Sequence, residues 1–371
     1  MILYLLFVSL FFFFAFIEKS LANDNQRRVI VLVSFLLLIM FDGLRWESGT
    51  DWDSYHDYFT YCLGHDNEFM EYGYKISNML IRVLTDNYTI FLILYSLFFY
   101  SMLFRFLQRY SDVFFLSLFL YVATFLPYQG MHRQLLAIVI CLNSIPFLLS
   151  GDKKKFVLIV LGATLFHTTA LVFLISMCLT RQFRLRQYLY LLLITIVVAN
   201  VGLVSALIDL GISLLFGNVG FRLAFYSSSN ASELAASGVS LLLAYVARFV
   251  WIIPFFMKMY EKKILVKEEI LFFNMYFFGI LIYVLFNGSP LQIIAGRGAA
   301  YFSILQCILI SYILEQNLFV IRRTFIQIGI YLFGLFMLFK GIKSYDDGMG
   351  NNVFLPYKSV YYNIDVRKDT G

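Results

Sequence analysis

Four arginines, Arg45, Arg133, Arg222 and Arg297, stand where long apolar runs meet polar corners. A guanidinium offers a planar fork of donors that matches phosphate oxygens two at a time, and it keeps its proton at every working pH. Placing an arginine at membrane depth costs about 2.5 to 3.5 kcal/mol, so arginines beside apolar helices require a reason. Several of them facing one cavity would receive a diphosphate or an acidic sugar. Any one alone also fits a snorkelling side chain or an ion pair with a neighbouring acid. Arg133 and Arg297 are the strongest candidates, because each follows a polar or glycine-rich corner and opens an apolar helix.

The richest stretch runs from Arg45 to Phe59, RWESGTDWDSYHDYF. Gly49 allows a turn, Thr50 suits a helix cap, and the spacing beyond it predicts a helix with Asp51, Tyr55 and Tyr58 on one face and Asp53 with Asp57 on another. A carboxylate at a helix start favours its charged form, and tyrosine rings beside it suit the apolar faces of sugars. That combination is how a general base awaiting a sugar hydroxyl is built. A solvated amphipathic helix resting on the membrane surface has the same pattern. Asp51-Trp52-Asp53 is formally a DxD triplet, but so acidic a segment gives it little weight as a metal site. His167 lies between LGATLF and TTALVFL, where it is either a packed, hydrogen-bonded residue or a proton carrier.

These residues sit in a chain of 371 residues that is 61% hydrophobic and 14% charged, against about 25% charged in soluble domains. So little polar surface excludes an ordinary soluble enzyme, a disordered protein and a nucleic-acid-binding module, and the net charge of +6 is then a record of topology. With about 20 apolar residues per span, there is room for about ten to twelve helices. The fold class expected is all-α, a polytopic integral membrane protein. Apolar runs lie near 1–17, 28–44, 88–107, 113–129, 132–149, 187–208, 238–257, 270–287, 298–314 and 324–341, with a further one at 156–180. One transmembrane domain over 1–342 and a polar tail over 343–371 complete the layout. The first run lacks a basic leader and a small-residue cleavage site, so it reads as a helix that is kept. Cys62, Cys141, Cys178 and Cys307 show no metal or redox spacing, and no nucleotide motif is present, so no cofactor is expected.

Charge orients the runs. The segment from Arg45 to Asp86 carries eight acidic residues against Arg45, Lys75 and Arg82, which suits the outer face. Arg27 with Arg28, Arg105 with Arg109, and Lys153 to Lys155 mark the opposite, cytoplasmic loops. Taken as a single span, 156–180 would invert this bias for the rest of the chain. A re-entrant helical hairpin restores it, with His167, Thr168 and Thr169 at the apex, where broken backbone is tolerated only inside protein or beside a wet cavity. External loops near 45–87 and 217–238 and corners at Pro127–Arg133 and Asn287–Arg297 are therefore where chemistry is expected.

Three blocks in order, Arg45 with Gly49-Thr50-Asp51 and Tyr55 to Phe59, then MHRQLLA from Met131, then LFHTTAL from Leu165, followed by Arg297 with Tyr301-Phe302, resemble the EpsG family. Its members are polytopic proteins grouped with the Wzy-type polymerases of bacterial surface polysaccharides. The resemblance implies a multi-pass protein of the bacterial cytoplasmic membrane that transfers a glycan from undecaprenyl diphosphate to a hydroxyl of another lipid-linked repeat unit at the outer leaflet. The bilayer, the lipid-linked oligosaccharide, a chain-length regulator and a flippase are the partners it implies, with no nucleic acid. On that reading Arg133 and Arg297 take the diphosphate with Arg222 and Gln134 beside them. Asp51 is the first candidate base and His167 the second, and Arg45 and Tyr55 position sugar or brace the loop. A flippase or transporter, a glycan ligase and a membrane acyltransferase stay open. A transporter would place charged residues on both sides of its pathway.

Overall fold

The computed structural model describes residues 1–20, 23–64, 70–201, 206, 238–263, 265–287, 289, 292, 294–315, 323–346 and 351–362. Arg222 and most of the outer loop expected around it lie outside the described residues. Sixteen α-helices and no strands are found among the described residues: α1 Ile2–Ile17, α2 Asp24–Gly43, α3 Trp52–Tyr61, α4 Tyr72–Leu84, α5 Tyr88–Tyr110, α6 Phe114–Phe125, α7 His132–Leu142, α8 Ile145–Leu149, α9 Lys153–Thr164, α10 Leu185–Asn200, α11 Gly238–Phe249, α12 Ile253–Tyr260, α13 Lys267–Phe286, α14 Ala299–Ser303, α15 Gln306–Glu315 and α16 Arg323–Lys343. The protein is an all-α, multi-pass membrane protein. Two compact units divide it, Met1–Leu174 with Phe319–Gly371, and Ile175–Leu318.

Tyr88–Tyr110, His132–Leu149, Lys267–Phe286 and Thr324–Lys343 are each long and apolar enough to cross a membrane, and the bent pairs 242–260 and 294–314 raise that number to six among the described residues. The difference from ten to twelve has local causes. α1 has 16 residues, which is about 24 Å of helix, and α2 carries Arg27, Arg28 and Asp42. Between α11 and α12 the axis bends by 49°, where Pro254 enters the first turn of the second helix. Proline suits a helix start and not a helix interior.

In the first unit α6 is buried at every position, the mark of a helix surrounded by others. Packing α1 and α16 on it, and α2 along α5, leaves outward faces such as Leu32, Leu36 and Met40 of α2 and Leu332, Phe336 and Phe339 of α16 exposed. Contacts also give direction. Phe14 meets Phe115 while Tyr4 reaches Phe354, so α1 runs antiparallel to α6. Gly334 faces Phe119 and Gly341 faces Pro127, so α16 runs parallel to it. α5 begins against Trp52 and Phe59 through Tyr88 and extends 23 residues, or about 35 Å. At its far end a groove of about 550 Å³ is lined by Arg27, Arg28 and Gln108. The platform around Tyr88 and the groove of Arg27 and Arg28 thus stand at opposite ends of α5.

The second unit pairs α10 with α13. Asn274 of α13 donates to the carbonyls of Leu179 and Arg181 at 2.7 and 2.8 Å and accepts from the Tyr188 hydroxyl. Its amide thereby satisfies backbone groups that the chain leaves open before α10. Lys258 pairs with Glu269 at 2.8 Å, and Arg248 lies over the Tyr283 ring at 3.5 Å.

Candidate functional site

In the first unit the acidic loop folds into a platform of rings. α3 begins one residue later than the pattern suggests, with Asp51 and not Thr50 in the cap position and without a side-chain cap bond. Trp52, Tyr55, Tyr58 and Phe59 are buried and Asp53 is exposed, as the predicted faces require. These rings pack against Tyr74 and Tyr88. Burial pushes the Tyr74 hydroxyl well above its ordinary titration range, so it stays protonated at neutral pH.

Arg133, on the first turn of α7, meets this platform. Its Nε donates to the Tyr55 hydroxyl at 3.3 Å, its guanidinium lies over the Tyr55 ring at 5.6 Å, and Nη1 pairs with Oε2 of Glu71. Both charged side chains are largely buried, at 19% and 15% exposure. The other carboxylate oxygen of Glu71 accepts the Thr168 N–H at 3.3 Å. α9 ends at Thr164 and a 3₁₀ segment starts at Thr168, so the helix breaks where His167 was expected at an apex. The break is fastened by the Gly73 N–H, which donates to Leu165 O at 2.7 Å, and a Cβ on Gly73 would lie 2.8 Å from that oxygen. His167 is half-buried, with Nδ1 2.6 Å from the Thr169 hydroxyl. Tyr55, Arg133 and the His167 segment therefore converge, although 78 residues separate the first two.

His132 supports this arrangement from beneath. Fully buried, it stacks on Tyr55 at 5.2 Å and packs on Tyr95 at 4.6 Å, and its backbone carbonyl accepts the Tyr95 hydroxyl at 2.9 Å. Gln134 is buried on the same turn. Arg45 is engaged in bracing: 1% exposed, it pairs through Nε with Asp42 at 3.2 Å and donates Nη1 to Gln129 O at 2.8 Å and Ser48 O at 3.4 Å. Of its two expected roles, holding the loop is the one these contacts perform. Asp51 lies one turn before Tyr55 and is half-buried. Arg297 belongs to the second unit, on a π-helical segment Ile294–Gly298, a distortion common at functional sites.

Two contributors escaped sequence reasoning. Glu71 looked like one acid among eight, and its only local signal was a cap position before the helical spacing of Tyr72–Leu84. The other is the tail. Residues 351–362 strap the Arg45–Thr50 loop: Lys358 O accepts from Trp46 N–H at 3.0 Å, Val353 O from Gly49 N–H at 3.1 Å, and the Val360 N–H donates to Leu44 O at 2.9 Å. Lys358, 3% exposed, pairs with Glu47 at 3.0 Å, and Glu47 holds a left-handed φ of 42°. Such a φ costs a side-chain-bearing residue about 1 to 2 kcal/mol, which the strap offsets.

A sequence model of the EpsG family matches residues 28–359. The chain belongs to the EpsG family. The match takes in all three blocks that carried the resemblance and extends into the tail as far as the strap. No curated protein and no solved structure matches the chain. Membership places it among polysaccharide-polymerase-type membrane proteins. Among the described residues, no three His, Cys, Asp or Glu side chains gather as a metal-holding group.

Proposed function

We propose that this EpsG-family protein is the polymerase of a bacterial surface polysaccharide, an O-antigen, capsule or exopolysaccharide. It transfers a growing glycan from undecaprenyl diphosphate to a hydroxyl of another lipid-linked repeat unit at the outer face of the cytoplasmic membrane. The observation that carries this reading is the Arg133 guanidinium beside a tyrosine platform, paired with a carboxylate and largely buried. The pairing joins Nη1 to one oxygen of Glu71, so the guanidinium is already set against an anionic oxygen, a group that a phosphate also presents. Arg133 would neutralise the departing diphosphate, and Tyr55, buried against His132 and under the guanidinium, would brace Arg133 through its hydroxyl. Arg297 is a second candidate for the diphosphate, with Gln134 and Arg222 as further substrate-binding candidates. Asp51 and His167 remain candidates for the acceptor's proton.

The test is polymerisation by the purified, reconstituted protein supplied with one defined lipid-linked repeat unit, with and without chelator. A ladder of products in both conditions is the expected result. Transfer of finished glycan to a lipid-core acceptor with no ladder would make the protein a ligase. Movement of the unit across the bilayer without a new glycosidic bond would make it a flippase.

A further inference from the structure

We infer that Glu71 is the base for the acceptor hydroxyl, and that Arg133 holds it out of action until a diphosphate takes its place. The inference rests on the polymerase reading and adds a residue and a sequence of events to it. Both oxygens of Glu71 are occupied, Oε2 by the Arg133 guanidinium and Oε1 by the Thr168 N–H at 3.3 Å. The Arg133 guanidinium thereby occupies the Oε2 edge that an acceptor hydroxyl would have to approach. The guanidinium, however, has a competing partner of greater charge in the proposed reaction. Non-bridging oxygens of a diphosphate match its fork as a carboxylate does. When they bind, Oε2 is released at the place where the guanidinium held it, beside the bound diphosphate, which is where the acceptor hydroxyl has to come.

The framework allows the exchange without moving helices. Glu71 caps α4, whose start is pinned by the Gly73–Leu165 hydrogen bond, and Oε1 keeps its bond to Thr168 throughout. Only the Oε2 contact has to open. The step then balances. The acceptor oxygen attacks the anomeric carbon and forms the new C–O bond. The bond from that carbon to the diphosphate breaks, with its electron pair leaving on the diphosphate against Arg133. The acceptor's proton passes to Oε2 of Glu71. Asp51 lacks this link, since among the described residues no contact joins it to Arg133.

The exchange predicts effects of opposite sign from one substitution. Glu71→Gln keeps an acceptor for Thr168 and removes the charge that competes for Arg133. In the reconstituted full-length protein, farnesyl diphosphate, used as the soluble probe, should bind about threefold or more tightly. Polymerisation should fall by about a hundredfold or more, the scale of a lost general base. Glu71→Asp, as the variant that keeps the charge, should retain measurable polymerisation and the wild-type melting temperature. Polymerisation by Glu71→Gln within threefold of wild type overturns the base, and unchanged or weaker probe binding overturns the latch. A larger loss from Asp51→Asn than from Glu71→Gln also overturns the assignment. If Arg133→Ala binds the probe as wild type does, the polymerase reading of Arg133 fails instead, and the inference falls with it.

Discussion

Gly130→Ala tests what holds the tyrosine platform against Arg133. The loop bearing Gly49 and Thr50 crosses the corner before α7 at Gly130, backbone on backbone. A Cβ on Gly130 would lie 2.3 Å from Thr50 N, 2.7 Å from its Oγ1 and 3.0 Å from Gly49 C. Ordinary contact needs about 3.5 Å, so the two strands of chain must part by about 1 Å. Gly49 cannot yield by rotation, because it already holds φ at 106° and its own Cβ position is 2.8 Å from Gly130 Cα. Parting them stretches the bond from Arg45 Nη1 to Gln129 O, now 2.8 Å, beyond hydrogen-bonding range, and a buried group left so costs about 1 to 3 kcal/mol. The same movement takes Tyr55 away from Arg133 Nε, now 3.3 Å away. Misplacing a substrate-positioning group by about 1 Å costs about a hundredfold in rate. The assay is the polymer ladder in cells, with protein abundance measured alongside and the rate measured on purified protein. Gly329→Ala is the control, since a Cβ there on α16 meets nothing within 4 Å. A wild-type ladder at wild-type abundance from Gly130→Ala would refute the claim that this crossing positions the site.

Arg133→Lys keeps the charge and loses the fork and the ring stacking, so polymer should fall at least about tenfold; a wild-type ladder would remove two-oxygen recognition from the account. Glu47→Ala leaves the buried Lys358 ammonium without its carboxylate and should destabilise the protein by about 3 kcal/mol. The double variant Glu47→Ala/Lys358→Ala should recover part of that in thermal melts, and additive losses would show that the ion pair does not hold the strap. A cysteine at position 184 should label only from the cytoplasmic side, and labelling from outside alone would exclude the re-entrant hairpin.

What was legible in the sequence is what depends on local pattern. Apolar runs mark hydrocarbon directly, so 88–107 and 324–341 foretell α5 and α16 to within a few residues. The break at His167 followed from charge balance across loops. Less legible is any contact made by groups that every residue carries. The strap hangs on backbone N–H and C=O groups of Trp46, Gly49, Val353, Lys358 and Val360, and no side-chain pattern announces these. Arg45 shows the opposite case. Its type suggested a ligand for substrate, while Asp42, three residues earlier and one helical turn away, was the signal that it is already paired. Glu71 was hidden because its partner lies 62 residues ahead.

The strap also constrains the path of the chain. Ile342 at the end of α16 accepts a hydrogen bond from Asn352, and residues 353–360 lie on the Arg45 loop, so α16 ends on the face that carries Arg133 and Glu71. Running parallel to α6, it starts on the face of Glu18, which pairs with Arg27. The break at residues 165–168 is on the Glu71 face as well. From Thr168 to Arg323 the chain must therefore pass from one face to the other, which takes an odd number of crossings. The sequence has four apolar runs in this stretch, at 187–208, 238–257, 270–287 and 298–314, so an odd total needs one crossing segment more or one fewer. The apolar 3₁₀ segment Thr168–Cys178, 11 residues long and at about 2 Å of rise per residue about 22 Å in length, is the segment the expected hairpin would use for its return. Labelling at position 184 decides between the two paths, because the hairpin puts that residue on the cytoplasmic side and a single span through 156–180 puts it outside.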